Sequence, residues 1–180
     1  MSHEVNSIAV IGAGTMGSGI SLVAATSGIN AFQVDVSADQ LDRARGYHAK
    51  VLSRSVEKGR MTEDEKTEAL ARITYCDDMK GAASADWAVE AATENPEVKA
   101  RLFESMKATF PDHAVLATNT SSISITRIAT ATGDAADRVT QPHPKQRGHL
   151  VVSGTAGPQP APRTGHTSDT ETTQTRKIKN

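Results

Sequence analysis

Short, mostly apolar runs alternate with longer amphipathic segments along the first 138 residues. Five runs have the length and character of β-strands in a covered sheet: SIAVIG, AFQVDV, ITYC, DWAVEAA and AVLATN. Helical patterns connect most of them, from TMGSGISLVAATSG near the start to SITRIATATG at the end. Strands separated by helices predict an α/β fold, in which a doubly wound parallel sheet carries helices on both faces.

Polar residues mark where the predicted helices begin. Ser37 with Gln40, and Thr62 with Glu65, have the spacing of capping boxes, and Asn95 followed by proline predicts a further helix start. The buried face of the helix that runs from Ser37 to Gly59 is expected to comprise Leu41, Ala44, His48, Val51, Leu52 and Ser55. The buried face of the helix after Asn95 is expected to comprise Val98, Leu102, Met106 and Phe110.

Three glycines stand where the first strand passes into the first helix. Gly12, Gly14 and Gly17 form the pattern G-x-G-x-x-G, in which they permit a tight turn, a close approach to a pyrophosphate and close packing of helix on strand. The phosphates would bind the free N–H groups at the helix start. The candidate cradle comprises Gly12, Ala13, Gly14, Thr15, Met16 and Gly17. A strand that runs into a helix of small residues has the same pattern, so the motif alone leaves both interpretations open.

Asp35 follows the second strand, at the spacing expected for the acidic partner of a dinucleotide-binding turn. A carboxylate there accepts hydrogen bonds from the adenosine ribose and repels a 2′-phosphate, which favours NAD over NADP. The alternative is that Asp35 only helps to start the helix beside Ser37. Together with the glycines, Asp35 predicts a Rossmann-type, NAD-binding domain.

The composition changes abruptly after Arg138. Residues 139–180 hold five of the seven prolines and none of the six aromatic residues. Such a segment buries too little apolar surface to offset the entropy lost on ordering. We therefore expect an NAD-binding domain over residues 1–138 and a low-complexity, disordered tail over residues 139–180.

Charge and cysteine content narrow the class of protein. A formal net charge of −1 gives no reason to expect nucleic acid or an anionic membrane as a partner. The single cysteine, Cys76, cannot form an internal disulfide, which favours a reducing compartment. The sequence displays neither a signal peptide nor an apolar run of the roughly 20 residues that span a bilayer. We expect a soluble, cytoplasmic protein and predict no metal site.

Five segments resemble, in order, the NAD-binding domain of short-chain 3-hydroxyacyl-CoA dehydrogenases, with the bacterial 3-hydroxybutyryl-CoA dehydrogenases as the nearest group. They are VIGAGTMGSGI, DVSADQLDRAR, VEKGRMT, VEAATENPEVKARLF and LATNTSSISIT. The resemblance covers about residues 7–138. It implies NAD as cofactor, an acyl-CoA substrate, and hydride transfer between C3 of a 3-hydroxyacyl-CoA and the nicotinamide ring, in fatty-acid or butanoate metabolism.

The same resemblance implies roles for further residues. Glu94 and Lys99 match residues near the nicotinamide half of the cofactor, and Lys58 matches a lysine near the coenzyme A phosphates. Asn119 and Ser121 match cofactor-binding residues, and Ser121 would also contact the substrate oxygen. Without the resemblance, these residues fit a solvated helix start, an exposed lysine and a helix cap equally well.

The sequence departs from the family pattern after Arg138. His143 stands about where the family has its general base, but PKQRG follows it instead of Phe-Phe-Asn-Pro, and the glutamate that orients the histidine has no counterpart. The resemblance also implies a helical domain that completes the acyl-CoA site and forms the family's homodimer, and we expect this chain to lack that domain. We expect a truncated sheet and an inactive or impaired enzyme. The alternatives are an incomplete NAD-binding module from a frameshifted or alternatively spliced gene, and a β-hydroxyacid dehydrogenase of the hydroxyisobutyrate type.

Overall fold

The computed structural model describes residues 5–119, 138–143 and 151–153. In chain order the elements are β1 (Ser7–Ile11), α1 (Thr15–Thr26), β2 (Asn30–Val34), α2 (Ala38–Glu57), α3 (Glu63–Ala71), β3 (Ile73–Cys76), β4 (Trp87–Glu90), α4 (Pro96–Thr109), β5 (Val115–Thr118), β6 (Val139–His143) and β7 (Val151–Ser153). The five strands and four helices predicted before residue 120 are all present. The helix predicted from SITRIATATG lies outside the described residues.

The strands form one sheet in the order β3-β2-β1-β4-β5-β6-β7. All neighbours from β3 to β6 pair in parallel, and β7 pairs antiparallel with β6. This confirms the doubly wound parallel sheet. The chain starts at β1 and winds first toward β3 and then toward β6. The order therefore reverses between β1 and β4, and this reversal is where such sheets bind their ligands, at the carboxyl ends of the strands.

The expected boundary at residue 138 falls at the start of β6. There Val139 pairs with Leu116 of β5 and is fully buried, so the sheet continues into the segment expected to be a tail. Most of residues 139–180 lies outside the described residues, and its disorder stays a prediction.

Apolar side chains cover both faces of the sheet. One face packs on α4 through Phe103, Met106 and Phe110, and the other packs on α1 through Ala24 and Ala25. The buried face of α2 includes Leu41, Ala44, His48 and Leu52, as predicted. For α4 the prediction was wrong at Val98, which is 49% exposed, because the face turned to the sheet starts with Lys99 and continues through Phe103.

The predicted helix starts hold in all three cases, but only one of the two predicted capping boxes is complete. Thr62 and Glu65 form a complete capping box, and the Asn95 side chain accepts hydrogen bonds from the first turn of α4. At α2 only half of the predicted box forms: the Ser37 hydroxyl accepts from the Gln40 N–H, while the Ser37 N–H donates to Asp35 at 2.9 Å. Because the Ser37 N–H already donates to Asp35, it is not available to the Gln40 side chain, which would have to accept from it to complete the box.

His48 joins α1, α2 and β3 in the interior. Its Nε2 lies 2.8 Å from the Ser18 carbonyl oxygen, which can only accept, so Nε2 carries the proton. Its Nδ1 lies 2.7 Å from the Tyr75 hydroxyl and accepts from it. Burial lowers the pKa of His48 below its ordinary value, against a smaller opposing effect of the Ser18 hydrogen bond. The neutral ring is therefore the form that the fold selects.

We expect the free energy of unfolding to fall as the pH drops below about 6.5, because the unfolded chain then binds a proton that folded His48 resists. His48→Gln should flatten this dependence. The measurement is urea unfolding at about pH 7.5 and about pH 5.5. The exposed His113→Gln serves as the matched control and should keep the wild-type slope. An unchanged slope in His48→Gln would contradict the prediction.

Candidate cofactor site

The glycine turn joins β1 to α1, and each of its three glycines meets a different surrounding. Gly12 has a φ of +108°, and a Cβ there would lie 2.8 Å from the Ala91 carbonyl oxygen. A Cβ on Gly17 would overlap the Gly12 carbonyl oxygen. A Cβ on Gly14 would have no described atom within 4 Å, so it would project into open space beside the helix start. The first and third glycines thus allow the turn to close, and the second leaves room for a ligand.

The N-terminus of α1 is open at this point. Its N-cap is Gly14, which has no side chain to accept from the helix, and its first turn holds no acidic residue. Gly14, Thr15 and Met16 are exposed. Unsatisfied N–H groups at a helix start, with the positive end of the helix dipole, suit a phosphate. These residues fit the pyrophosphate of a dinucleotide.

Gln33, in the middle of β2, holds the turn from below. It is fully buried, and its amide donates to the Gly12 carbonyl oxygen at 2.9 Å while accepting from the Ser21 hydroxyl at 2.7 Å. The sequence analysis missed Gln33. A polar residue in the middle of an apolar strand was the available signal, because a buried amide requires partners.

Asp35 connects the glycine turn to the start of α2. Its two carboxylate oxygens accept from the Ala13 N–H at 2.8 Å and from the Ser37 N–H at 2.9 Å. A carboxylate has about four acceptor positions, so two remain for ribose hydroxyls. Asp35 therefore does help to start α2, through its bond from the Ser37 N–H. Together with the bond from the Ala13 N–H, this bond fixes the carboxylate beside the glycine turn.

Three buried polar side chains form a cluster where β4 and β5 end. Glu90, Lys99 and Thr118 are at most 2% exposed. The Lys99 ammonium donates to Glu90 Oε2 and, at 3.2 Å, to the Thr118 hydroxyl, which donates to the same carboxylate oxygen at 2.9 Å. Glu90 Oε1 accepts the N–H groups of Ala92 and Thr93 at 2.9 and 3.0 Å. We refer to Glu90, Lys99 and Thr118 as the buried triad.

A cavity of about 180 Å³ opens next to the buried triad, at the carboxyl ends of the strands. Its lining comprises Met16, Glu90, Ala91, Ala92, Thr93, Glu94, Lys99 and Asn119. It thus brings together four residues that the sequence analysis singled out in three separate motifs: Met16, Glu94, Lys99 and Asn119. Lys99 is not the solvated helix residue of the alternative interpretation.

The other candidate residues lie elsewhere or are not described. Lys58 is exposed, at the end of α2. Ser121 lies outside the described residues. His143 is the last residue of β6, and its side chain lies outside the description. Glu90 was missed, although a glutamate that ends an apolar strand was a usable signal.

A larger cavity, of about 670 Å³, lies between α1 and the amino half of β4. Ile20, Val23 and Trp87 are among its mostly hydrocarbon lining. Ligand sites need a few convergent polar groups to orient what they bind. The smaller cavity, beside the buried triad, is therefore the candidate site.

Comparison with known proteins identifies the family of this fold. A family model described as the NAD binding domain of 3-hydroxyacyl-CoA dehydrogenase matches residues 7–151. The 3-hydroxybutyryl-CoA dehydrogenase of Bradyrhizobium diazoefficiens is 42% identical over 132 residues, which are 73% of this chain and 45% of the relative. The 3-hydroxyadipyl-CoA dehydrogenase of Escherichia coli K12 is 45% identical over 130 residues, which are 72% of this chain and 27% of the relative.

The crystal structure of 3-hydroxybutyryl-CoA dehydrogenase from Escherichia coli K12 has a TM-score of 0.75 and 40% identity to this chain, and the match covers 78% of this chain and 30% of that one. The chain spans between 18% and 45% of the length of such curated relatives. None of the described helices combines the length and the apolar character that a bilayer crossing requires. The cofactor of this fold is NAD, and the chain belongs to the family of 3-hydroxyacyl-CoA dehydrogenase NAD-binding domains.

Proposed function

We propose that this chain binds NAD as the cofactor domain of an oxidoreductase that acts on 3-hydroxyacyl-CoA thioesters. The observation that carries the proposal is the Asp35 carboxylate, held by the Ala13 N–H at 2.8 Å beside an open helix N-terminus. A cradle for phosphate next to a fixed ribose acceptor is the pairing that a dinucleotide requires.

The order of the strands gives the orientation of the cofactor. The pyrophosphate would lie on the N-terminus of α1, and the adenosine ribose on Asp35 at the end of β2. Because the dinucleotide spans the crevice where the strand order reverses, its other half extends toward β4 and β5. That half would meet the cavity beside Lys99 and Asn119.

The bound nicotinamide would exchange a hydride with C3 of the thioester substrate. A general base would then hold the hydroxyl proton, and we propose His143 for this role. β6 runs parallel to β5, so His143 ends its strand at the same edge as the buried triad. By the pairing of Ala117 with Thr140, it lies two residues beyond the level of Thr118. Ser121 is the proposed contact to the substrate oxygen, and Lys58 the proposed contact to coenzyme A.

The sequence around His143 supports a second candidate, an NAD-binding module without turnover. PKQRG follows the histidine, with no glutamate to orient the ring. Oxidation of NADH with acetoacetyl-CoA separates the two candidates. Turnover that His143→Ala abolishes supports the dehydrogenase. NAD binding without turnover supports the module.

Cofactor binding is tested by calorimetry with NAD and with NADP. We expect the wild type to prefer NAD, because the Asp35 carboxylate repels a 2′-phosphate. Asp35→Asn should weaken NAD binding about tenfold and reduce the preference, since the amide loses one acceptor and the negative charge. Asp64→Asn, at an exposed acid in the first turn of α3, is the matched control and should change neither. A folded wild type that binds neither nucleotide would reject the proposal.

A further inference from the structure

Glu90 has an environment that stability alone does not explain. Its carboxylate is fully buried at the end of β4 and accepts four hydrogen bonds. Two come from N–H groups of the turn after β4, and two come from the side chains of Lys99 and Thr118. Taking the charges of Glu90 and Lys99 out of water carries a desolvation penalty that apolar side chains of similar size would avoid. A buried ion pair at the carboxyl ends of the strands, beside the candidate cavity, therefore points to a role in ligand binding.

The bonds of Glu90 connect three parts of that edge. Oε1 fixes the turn after β4 through the N–H groups of Ala92 and Thr93, and this turn contacts the glycine turn at Gly12. Oε2 fixes Lys99, at the start of α4, and Thr118, at the end of β5. One carboxylate thus sets the position of most of the cavity wall.

The described residues hold Lys99 through two of its three donors. An ammonium group has three N–H donors, and the structure gives two of them to Glu90 and Thr118. The Lys99 side chain also lines the cavity. Within the described part of the chain the third donor has no partner, so it can serve an acceptor on a ligand, and Glu90 determines where that donor lies.

We infer that Glu90 is a positioning residue for the nicotinamide half of the cofactor, acting through Lys99 and the turn formed by residues 91–93. The inference rests on the proposed binding of NAD across the edge of the sheet. It assigns Glu90 no contact with the adenosine half, which lies on the side of β2 and Asp35. Loss of the carboxylate should therefore discriminate between the two halves of the cofactor.

The experiment compares NAD with ADP, which lacks both the nicotinamide ring and the ribose that carries it. Calorimetry on the wild type and on Glu90→Gln gives a dissociation constant for each ligand. Whichever way the new amide is oriented, its NH₂ group faces either Lys99 or the N–H groups of the turn. We expect NAD to bind about tenfold more weakly to Glu90→Gln, and the affinity for ADP to change by no more than about twofold.

The control and a second variant keep the result specific. Asp86→Asn makes the same chemical change at the other end of β4, where the carboxylate accepts from Asn6 and Ser7, and it should not alter the ratio of the two dissociation constants. If Glu90→Gln does not fold, Glu90→Asp, which keeps the charge but draws the carboxylate back from Lys99 and from the turn, carries the same test with the same expected ratio.

Equal weakening of NAD and ADP, or unchanged NAD binding, in a folded Glu90 variant would overturn the inference. If the wild type binds both ligands, such a result rejects only the role of Glu90. If the folded wild type binds neither ligand, the proposed function is rejected and the inference with it.

Discussion

Gly17→Ala should abolish NAD binding and lower the free energy of unfolding by more than about 3 kcal/mol. The added Cβ overlaps the Gly12 carbonyl oxygen, which is a backbone atom and cannot rotate away. Gln33 also holds that carbonyl in place, at 2.9 Å. Relief requires α1 to move away from β1, and this movement displaces the N-terminus that would bind the pyrophosphate. Urea unfolding and calorimetry with NAD measure the two effects.

Gly19→Ala is the matched control for this change. Gly19 lies two residues further along the same helix, and a Cβ there meets no described atom within 4 Å. Replacing an interior helical glycine with alanine should stabilise the fold by about 0.5–1 kcal/mol and leave NAD binding intact. If both variants behave alike, close packing at Gly17 is not what requires glycine there.

Lys99→Met should destabilise the fold by about 3–5 kcal/mol, because it leaves the Glu90 carboxylate buried and without its cation. Methionine is close to the lysine stem in shape, so the packing against the sheet is largely kept. Chemical denaturation monitored by circular dichroism gives the change in the free energy of unfolding.

The double variant Lys99→Met with Glu90→Gln is the natural comparison. It removes both charges and should recover most of the lost stability, since a neutral amide still accepts from the turn or from Thr118. If Lys99→Met alone were as stable as the wild type, the buried Glu90 carboxylate would not depend on the Lys99 ammonium, which would contradict the prediction. Lys66→Met, which removes the partner of the exposed Glu63, should change stability by less than about 1 kcal/mol.

The sequence was sufficient where function depends on local geometry. The spacing of Gly12, Gly14 and Gly17 predicts the turn, because the turn is formed by consecutive residues between β1 and α1. Alternating strands and helices predict the sheet, since parallel strands need crossover connections. Asp35 could be predicted for the same reason, as it follows its strand directly.

The sequence was insufficient where one residue depends on another far along the chain. The periodic pattern after Asn95 counted only apolar positions, so it placed Val98 on the buried face and did not include Lys99. Lys99 is buried because Glu90 and Thr118, on two other strands, satisfy its charge. The capping prediction at Gln40 failed because Asp35 competes for the Ser37 N–H. Burial of a charged group is decided by partners that helical spacing does not reveal.

Cys76 gives the protein a built-in reporter of local opening. It is buried at the end of β3, and its carbonyl accepts from the Asp35 N–H at 3.1 Å. Burial, with the nearby Asp78 and Asp77 carboxylates, raises the pKa of the thiol, so the closed state reacts slowly with disulfide reagents. Since the chain has one cysteine, a single labelling rate reads out how often β3 detaches from β2. Because Cys76 in β3 is hydrogen-bonded to Asp35, the residue proposed to hold the adenosine ribose, the labelling rate also reports how stably Asp35 is held.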